Sequence, residues 1–466
     1  MAYDTDSIGS LTERFATLWS GLTWADIPEA DIAGIKDHVL DTLAVALVGA
    51  RTSEAASVIR VLTTANGRRA GATVWGTSDR LPLSLAALAN GTSAHARDFD
   101  DGGGAGHAGS TVIPAALAVA ESVGASGRNF LLATIAGYDV GYRSLLAIGG
   151  FAVHTGRGWH SSGTMGSLGA AAAAAKVLGL DAEKFTNALG IAGSFTGGVW
   201  AFIDDGAMTK RLHPGKACET GVDAALLAQG GITGPHRIFE SEFGGLFTTY
   251  NGGVGFRDKA LDDLGVNLNI ASSYLKPYAC CRGSHSTIDT LLRLMSSHGL
   301  RADNVKRMDI TAGQTAYDMI NVYPIETVFD AQFSLPYAVS VTLVSGEAGL
   351  GQFEPPRLNE PEVRSIFDRI TFTLDKSIGL EDGPRLHIER TDGTTIDISA
   401  GNPTLAKGSA VLPMTHAEVV AKTHALIDPI NPALAEALIS AVEGLDQASD
   451  VTSLLDALRI VGEHPR

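Results

Sequence analysis

The sequence is poor in cysteine, aromatic residues and basic charge, and each shortage argues against a class of protein. Its 466 residues include three cysteines, two of them adjacent at Cys280 and Cys281, so a disulfide framework is excluded. Aromatic residues make up only 6% whereas glycine occurs 54 times, which favours closely packed helices over a β-sandwich. The 35 basic residues face 51 acidic ones, and the net charge of −16 argues against a nucleic acid partner.

Long apolar runs are missing as well. Glycine, lysine or histidine interrupts every candidate before it reaches about 18 residues, so we expect no membrane span. The first ten residues, MAYDTDSIGS, have neither the basic nor the apolar region of a secretion signal. Together with the low cysteine content, this predicts a protein of the reducing cytoplasm.

A long succession of helical patterns dominates the sequence. One of them contains the alanine run 170–175, which we interpret as a surface for close helix packing. β-prone segments appear from about residue 268, and two short ones flank the pair Asp392-Gly393, which predicts a hairpin. We therefore predict a mainly α fold. Its large all-helical domain is built from both chain ends, 1–268 and 403–466, and a smaller α+β lid domain is inserted at 269–402.

The segment MTKRLHPGKA is the strongest concentration of cationic side chains. It places Lys210, Arg211, His213 and Lys216 within seven residues of an acidic protein. An apolar helix pattern begins at Ala217, so we predict a cationic loop that leads into a helix N-terminus. Such a terminus attracts a carboxylate, because its backbone N–H groups and dipole add to the side-chain charge. The alternative is a solvated basic turn.

Three further segments place a histidine directly before a helix pattern. HARDFDDGGGAGHAGS contains Asp98 and His107, which suit acid–base chemistry near neutral pH, although the segment also fits a glycine-rich connection capped by aspartates. GWHSSGT contains His160, which could equally be a structural hydrogen bonder. The spacings fit no calcium, zinc or iron–sulfur site, so we predict neither metal nor cofactor. The remaining segment, KPYACCRGSH, contributes Lys276, Cys280, Arg282 and His285, and its cysteines are also compatible with simple burial.

These segments, in this order, resemble the MmgE/PrpD family, which includes 2-methylcitrate dehydratase, cis-aconitate decarboxylase and iminodisuccinate epimerase. FDAQFSLPYAVSVTL is a further similar segment, and the resemblance spans essentially the whole chain. It implies an all-helical domain from both chain ends with an α+β lid, a homodimer, a metal-free enzyme and an active site in the cleft between the domains.

The resemblance also implies which residues form the site. This chain reads HAGS where many relatives have a His-Pro pair, which retains His107 but alters its backbone, and a long GGGAG insert precedes it. If the enzyme is a two-base epimerase, Cys280 or Cys281 is available as its second base. The substrate-binding residues would be Lys210, Arg211, His213, Lys276 and Arg282. The catalytic residues would be Asp98, His107, His160, Lys210, Lys276, His285, Tyr317 and Cys280.

The chemistry that these relatives share is proton movement at a carbon alpha to a carboxylate. The expected substrate is therefore a small di- or tricarboxylate. We place a 2-methylcitrate dehydratase-like hydro-lyase first, an epimerase of an amino-polycarboxylate such as iminodisuccinate second, and a cis-aconitate-type decarboxylase third. A protein that binds polycarboxylates without catalysis is the alternative of another class.

Overall fold

The computed structural model describes residues 9–67, 70–379 and 381–459. The described chain divides into two compact units: one holds the residues up to Ser273 and from His416, and the other spans Tyr274–Thr415. The predicted mainly α class is confirmed. The boundaries predicted from sequence texture, at 268/269 and 402/403, stay a prediction. Most of the segment considered for a secretion signal, residues 1–8, lies outside the described residues.

The first unit is built from helices and a few two-residue strands. Its strands are β1 Ala72–Thr73, β2 Arg80–Leu81 and β3 Gly102–Gly103. Strand β4 Ser273–Tyr274 lies at the point where the chain passes into the second unit. Its helices before the second unit are α1 Leu11–Gly21, α2 Glu29–Gly49, α3 Ser53–Asn66, α4 Leu83–His95, α5 Ala108–Val123, α6 Gly127–Ala147, α7 Gly150–Thr155, α8 Ser161–Val177, α9 Ala182–Phe195, α10 Thr209–Gln229, α11 Leu246–Asn251 and α12 Arg257–Leu261.

The second unit combines helices with a four-stranded sheet. Its elements are α13 His285–His298, β5 Val305–Ala312, α14 Gln314–Ile320, α15 Val328–Gln332, α16 Leu335–Ser345, α17 Pro361–Phe367, β6 Ile370–Leu374, β7 Arg385–Arg390 and β8 Thr395–Ser399. The chain then returns to the first unit with α18 His416–Ile427, α19 Pro432–Glu443 and α20 Thr452–Ala457.

Helix α8 lies at the centre of the first unit, and small residues allow its neighbours to approach it closely. The alanine run 170–175 is completely buried, as its interpretation as a packing surface requires. A Cβ added at Gly137 of α6 would lie 2.8 Å from the carbonyl oxygen of Gly169 in α8, which is closer than real Cβ atoms come. Helices α6 and α8 therefore pack backbone against backbone, and the position of α8 is narrowly defined.

The sheet of the second unit has the strand order β6-β5-β7-β8. Strands β7 and β8 pair antiparallel, with Leu386 opposite Ile398, and their connection contains the predicted Asp392-Gly393 turn. Gly393 has a φ of 86°, which glycine adopts at little cost, and Asp392 accepts a hydrogen bond from the amide of Thr394. The predicted hairpin is confirmed.

One local prediction is wrong. The segment MTKRLHPGKA is not a loop before a helix at Ala217, because α10 already begins at Thr209. Pro214 lies inside this helix and removes one backbone hydrogen bond. Close packing is the physical reason that the helix persists: Gly215 lies against the backbone of α4 near Leu88, and tertiary contacts of this kind override weak local propensity.

Among the described residues, none of the helices has both the length and the apolar character that crossing a bilayer demands.

Candidate active site

The structure divides the predicted site residues between the two units. In the first unit it brings one set together around Lys210 of α10, and a second set lies in the other unit. The first set consists of Asp98, His107, His160, Lys210, Arg211 and His213, and the second consists of Lys276, Cys280, Arg282, His285 and Tyr317.

Lys210 is buried and lies at the centre of the first set. Its Nζ is 2.7 Å from Oδ1 of Asp98 and 2.7 Å from Nε2 of His95, the last residue of α4. Arg211 adds a second cation, with Nη1 3.5 Å from the same carboxylate oxygen. Two cations therefore meet at one buried carboxylate, and their charges would attract an anionic ligand.

Asp98 has an unusual backbone conformation. Its φ is 49°, in the left-handed region that side chains other than glycine seldom adopt, and the residue is buried. This conformation belongs to a tight turn after α4, in which the Asp98 amide donates to the carbonyl of His95. Strained residues of this kind persist where the surroundings hold them, and here the ion pair with Lys210 does so.

The tautomer of His95 follows from its partners. An ammonium group only donates hydrogen bonds, so the Nε2 atom that faces Lys210 is an acceptor and the ring proton lies on Nδ1. Nδ1 donates to the carboxylate of Asp100, whose oxygens are 3.0 and 3.1 Å away. Burial and the charge of Lys210 hold the pKa of His95 well below its usual range despite Asp100. His95 is therefore neutral at pH 7 and orients Lys210.

Asp100 links two histidines. Its Oδ2 lies 3.0 Å from Nδ1 of His95 and 3.2 Å from Nδ1 of His107, and the two rings are 4.2 Å apart. Burial alone would raise the pKa of Asp100, but the interactions with both imidazoles hold it well below the usual range. The carboxylate is therefore ionised at neutral pH.

His107 has a defined lone pair. Its Nδ1 lies 2.7 Å from the carbonyl oxygen of Asp101 as well as near the Asp100 carboxylate, and both partners only accept hydrogen bonds. Nδ1 therefore carries the proton, and the neutral ring has its lone pair on Nε2. This is the arrangement by which a carboxylate fixes the tautomer of a general base.

Asp101 fixes the loop that carries these groups. Its carboxylate accepts hydrogen bonds from His38 at 2.9 Å, from the hydroxyl of Tyr138 at 2.7 Å and from the amide of Gly109 at the start of α5. Burial and the nearby Asp101 charge raise the pKa of Tyr138 well above its usual range, so this hydroxyl remains a donor. The DFDD segment is thus tied to α2, α5 and α6.

His160 and His213 lie together at another side of the cluster. Their Nδ1 atoms are 2.8 Å apart, and the His160 ring is 6.5 Å from that of His95. The rings of Trp200 and Phe202 contact His160 edge to face, at 5.2 and 5.5 Å. The predicted junction of loop and helix is confirmed for His107 and His160, which immediately precede α5 and α8, but not for His213, which lies inside α10.

The second set has a different character. Arg282 donates to the carbonyl oxygens of Thr404, Ala406 and Lys407 and to Nδ1 of His285, and its guanidinium stacks on a tyrosine of the same unit. Nδ1 of His285 is thus an acceptor, so Nε2 carries the proton and lies 3.2 Å from the carbonyl oxygen of Cys280. These contacts hold backbone segments together. The predicted roles of Arg282, His285 and Cys280 in binding and catalysis stay predictions.

The other two residues of the second set are Lys276 and Tyr317. Lys276 is buried to 1% exposure, which is unusual for a lysine and compatible with a functional ammonium group. Tyr317 lies on α14 and packs its ring on Phe372 of β6 at 5.1 Å. Neither position tests the role predicted for it.

Sequence reasoning missed His95 and Asp100 as site residues. Both lie in the HARDFDD segment, and their positions three and two residues from the predicted Asp98 were the available signal. The contact that makes His95 functional joins it to Lys210, which is 115 positions away in the sequence. Such a contact cannot be derived from spacing.

Within the described ranges, His95, Asp98 and His107 form a group whose ligand atoms lie within 4.8 Å of one another, as a metal would need. Nζ of Lys210 already lies 2.7 Å from two of these atoms. The cation that the donors surround is therefore the lysine ammonium. The predicted independence from metals and cofactors stays a prediction.

Comparison with known proteins identifies the family. The chain matches the MmgE/PrpD N-terminal domain over residues 13–257 and the MmgE/PrpD C-terminal domain over residues 278–447. The chain belongs to the MmgE/PrpD family, as the resemblance predicted.

Among individual proteins, the chain is similar to a cis-aconitate decarboxylase-like protein, oryM, of Aspergillus oryzae, with 29% identity over 97% of this chain and 98% of the relative. It is 30% identical to cis-aconitate decarboxylase of Homo sapiens, over 78% of this chain and 76% of the relative. The corresponding values for cis-aconitate decarboxylase of Aspergillus terreus are 26%, 99% and 98%. These relatives are enzymes, and their names describe lyases.

Proposed function

We propose that this protein is a decarboxylase of a small unsaturated polycarboxylate of the cis-aconitate type, and that it works without a cofactor. The sequence alone placed decarboxylation third, after a hydro-lyase and an epimerase. We now place it first, because relatives that cover most or all of the chain are named for decarboxylation. The structural observation that supports it is the buried Lys210 ammonium group, oriented by Asp98 and His95 and close to imidazoles of defined tautomer.

Decarboxylation requires charge stabilisation first. When the carbon–carbon bond to the departing carboxylate breaks, carbon dioxide leaves and the electron pair remains on the substrate. A neighbouring carboxylate accepts this pair as an aci-carboxylate, and the charges of Lys210 and Arg211 stabilise it. Cations held in place before the reaction act most strongly in a buried site, because little reorganisation is needed.

The second requirement is one proton. The substrate loses carbon dioxide and gains one hydrogen on carbon, so each turnover consumes a proton that comes ultimately from solvent. An imidazole N–H near the carbanion is the suitable donor. Of the two imidazoles of the predicted catalytic set in the first unit, His107 directs its Nδ1 proton to Asp101 and Asp100, so His160 is the candidate donor.

Proton NMR in deuterium oxide tests the proposal. The unmodified protein, incubated with cis-aconitate, should produce a new alkene with one deuterium on carbon, together with an equal amount of carbon dioxide. A parallel panel of citrate-like and aspartate-derived polycarboxylates covers the alternatives. An alkene without carbon dioxide from a hydroxy acid would instead establish a hydro-lyase, and exchange at an alpha carbon without bond loss would establish an epimerase.

Absence of product and of deuterium exchange across the whole panel would contradict every catalytic assignment and favour a binding protein. Thermal stabilisation of the protein by a polycarboxylate would then identify the ligand, because a ligand that binds the native state raises the melting temperature.

We also propose that the protein is a homodimer located in the cytoplasm. The family resemblance supports the first and the low cysteine content the second. Large apolar side chains exposed on the first unit, among them Phe195 and the fully exposed Phe243, are suited to a subunit interface. Light scattering coupled to size exclusion measures the mass, and a monomer at micromolar concentration would contradict the dimer.

A further inference from the structure

His160 and His213 are joined by one hydrogen bond between their Nδ1 atoms. Their Nδ1 atoms are 2.8 Å apart, so one atom carries the proton and the other accepts it. A neutral imidazole has a single N–H group. The donor ring therefore has its lone pair on Nε2, whereas the acceptor ring has its proton there. The two neutral histidines are consequently held in opposite tautomers.

The surroundings keep both rings neutral. Burial, followed by the charge of Lys210 and the three neighbouring histidines, holds the pKa of His160 well below its usual range. Burial and the same lysine lower the pKa of His213 to about 4. Trp200 and Phe202 pack edge to face against the His160 ring and limit the access of water to it.

The two rings differ in exposure. His160 immediately precedes α8 and is 3% exposed, and its amide donates to the carbonyl of Gly198. His213 lies on α10 and is only half-buried. One ring of the pair thus lies deep beside Lys210 and His95, and the other has access to solvent.

We propose that His160 and His213 form a proton relay, in which His213 acts through His160 to supply the proton that the substrate carbon receives. This inference rests on the proposed decarboxylase function and deepens it. It replaces the carboxylate-binding role predicted for His213, because the Nδ1 atom of that ring is engaged by the other histidine.

The relay balances in protons and charge. Before the transfer, His160 carries its proton on Nε2 and His213 carries its proton on Nδ1. The Nε2–H bond of His160 breaks as its proton forms the new C–H bond with the carbanion electron pair. The Nδ1 proton of His213 moves to Nδ1 of His160, and Nε2 of His213 takes a proton from solvent. Both rings end neutral with exchanged tautomers. After product leaves, the Nδ1 proton returns from His160 to His213, Nε2 of His213 releases its proton to solvent, and Nε2 of His160 takes a proton from water that enters the emptied site.

Two variants of His213 separate a relay from a structural role. In His213→Asn the amide can still hydrogen-bond to Nδ1 of His160 but cannot shift tautomer. We expect kcat for cis-aconitate to fall about a hundredfold with KM unchanged, since general acid catalysis contributes on the order of 10² to 10⁴. In His213→Ala the ring is absent, and added imidazole should restore part of kcat. Imidazole should have no effect on His213→Asn, nor on the matched control His424→Asn, which alters a histidine of α18 that bonds to Asp428.

A spectroscopic measurement tests the pair without substrate. Nitrogen-15 NMR of the histidine-labelled, unmodified protein should show His160 and His213 in opposite tautomers with one shared proton. The same tautomer in both rings would overturn the relay whatever the activity. So would a rise in KM alone for His213→Asn, which would restore the carboxylate-binding role, or a kcat within threefold of the parent. Opposite tautomers in a protein that decarboxylates nothing would overturn the proposed function while retaining the paired histidines.

Discussion

The two sets of predicted site residues surround similar cationic side chains with different partners. In the first unit, Lys210 and Arg211 form buried ion pairs with the carboxylate of Asp98. In the second unit, the guanidinium of Arg282 faces backbone carbonyls and His285 completes the same network. A cation beside a histidine near a helix start therefore occurs in two different surroundings. The partner of the cation distinguishes the two cases.

The first prediction tests the charge of the first set. Lys210→Met removes the ammonium group 2.7 Å from Asp98 and retains Arg211 at 3.5 Å from the same carboxylate oxygen. We expect kcat/KM for cis-aconitate to fall about a thousandfold, because the developing negative charge loses its closest stabilising group. Steady-state kinetics and circular dichroism measure activity and folding.

Lys216→Met is the matched control for this change. It alters a lysine of the same helix whose side chain is 62% exposed and pairs with Glu219. Activity of folded Lys210→Met within tenfold of the parent would contradict the assignment.

The second prediction tests the tautomers that Asp100 imposes. In Asp100→Asn, the amide can no longer accept from both His95 and His107 as a carboxylate does. We expect kcat to fall a hundredfold or more without unfolding, because the imidazoles lose their fixed tautomers. Nitrogen-15 NMR should show mixed tautomers for both rings. The control is Asp205→Asn, which alters an exposed aspartate. An unchanged kcat for the Asp100 variant would contradict the role of Asp100 in fixing the two tautomers.

The third prediction concerns the second set, for which we expect a loss of stability and not of activity. Arg282→Met should leave kcat/KM within about threefold but lower the free energy of unfolding by about 2–3 kcal/mol, because the carbonyl oxygens of Thr404, Ala406 and Lys407 lose a charged donor. Urea unfolding and kinetics on the same preparation measure both, with the exposed Arg293→Met as control. If activity is lost while stability is unchanged, Arg282 binds carboxylate as the sequence predicted.

The smallest effect is expected for a histidine of the first unit outside the ion cluster. Burial lowers the pKa of His154 to about 4, against about 6.5 in an unfolded chain. Between these two pH values the imidazole is protonated in the unfolded chain but not in the folded protein. The free energy of unfolding is therefore unaffected by this residue above pH 6.5 and declines as the pH falls toward 4. His154→Gln should reduce the loss of stability between pH 7.5 and pH 5 by about 2 kcal/mol in urea titrations. An unchanged pH slope would exclude a buried neutral imidazole.

Regular local patterns were the predictable part of the fold. The alternation around Asp392-Gly393 gave the hairpin, and the alanine run 170–175 gave the packing surface of α8. The helical start at Thr209 was not predictable, because proline at 214 argues for a loop and only packing against α4 outweighs it. Local preference and tertiary contact conflict there, and tertiary contact prevails.

The candidate site was predictable to the level of segments. Asp98, His107 and Lys210 were assigned from their motifs, and the structure brings them together. Their partners were not predictable, since His95 was assigned no role and His213 was assigned to substrate rather than to His160. Which atom of a side chain faces which neighbour depends on distances between helices, and one sequence contains no record of them.

The glycine contacts of α8 have a consequence for the outcome of random mutagenesis. Gly137 and Gly169 touch through their backbones, so a single added methyl group must push whole helices apart. His160 immediately precedes α8 and would move with it. A shift of about 1 Å at a reacting group can cost a hundredfold in rate. A screen for lost activity would therefore score these two glycines as though they touched substrate, although they serve only as the spacing between helices.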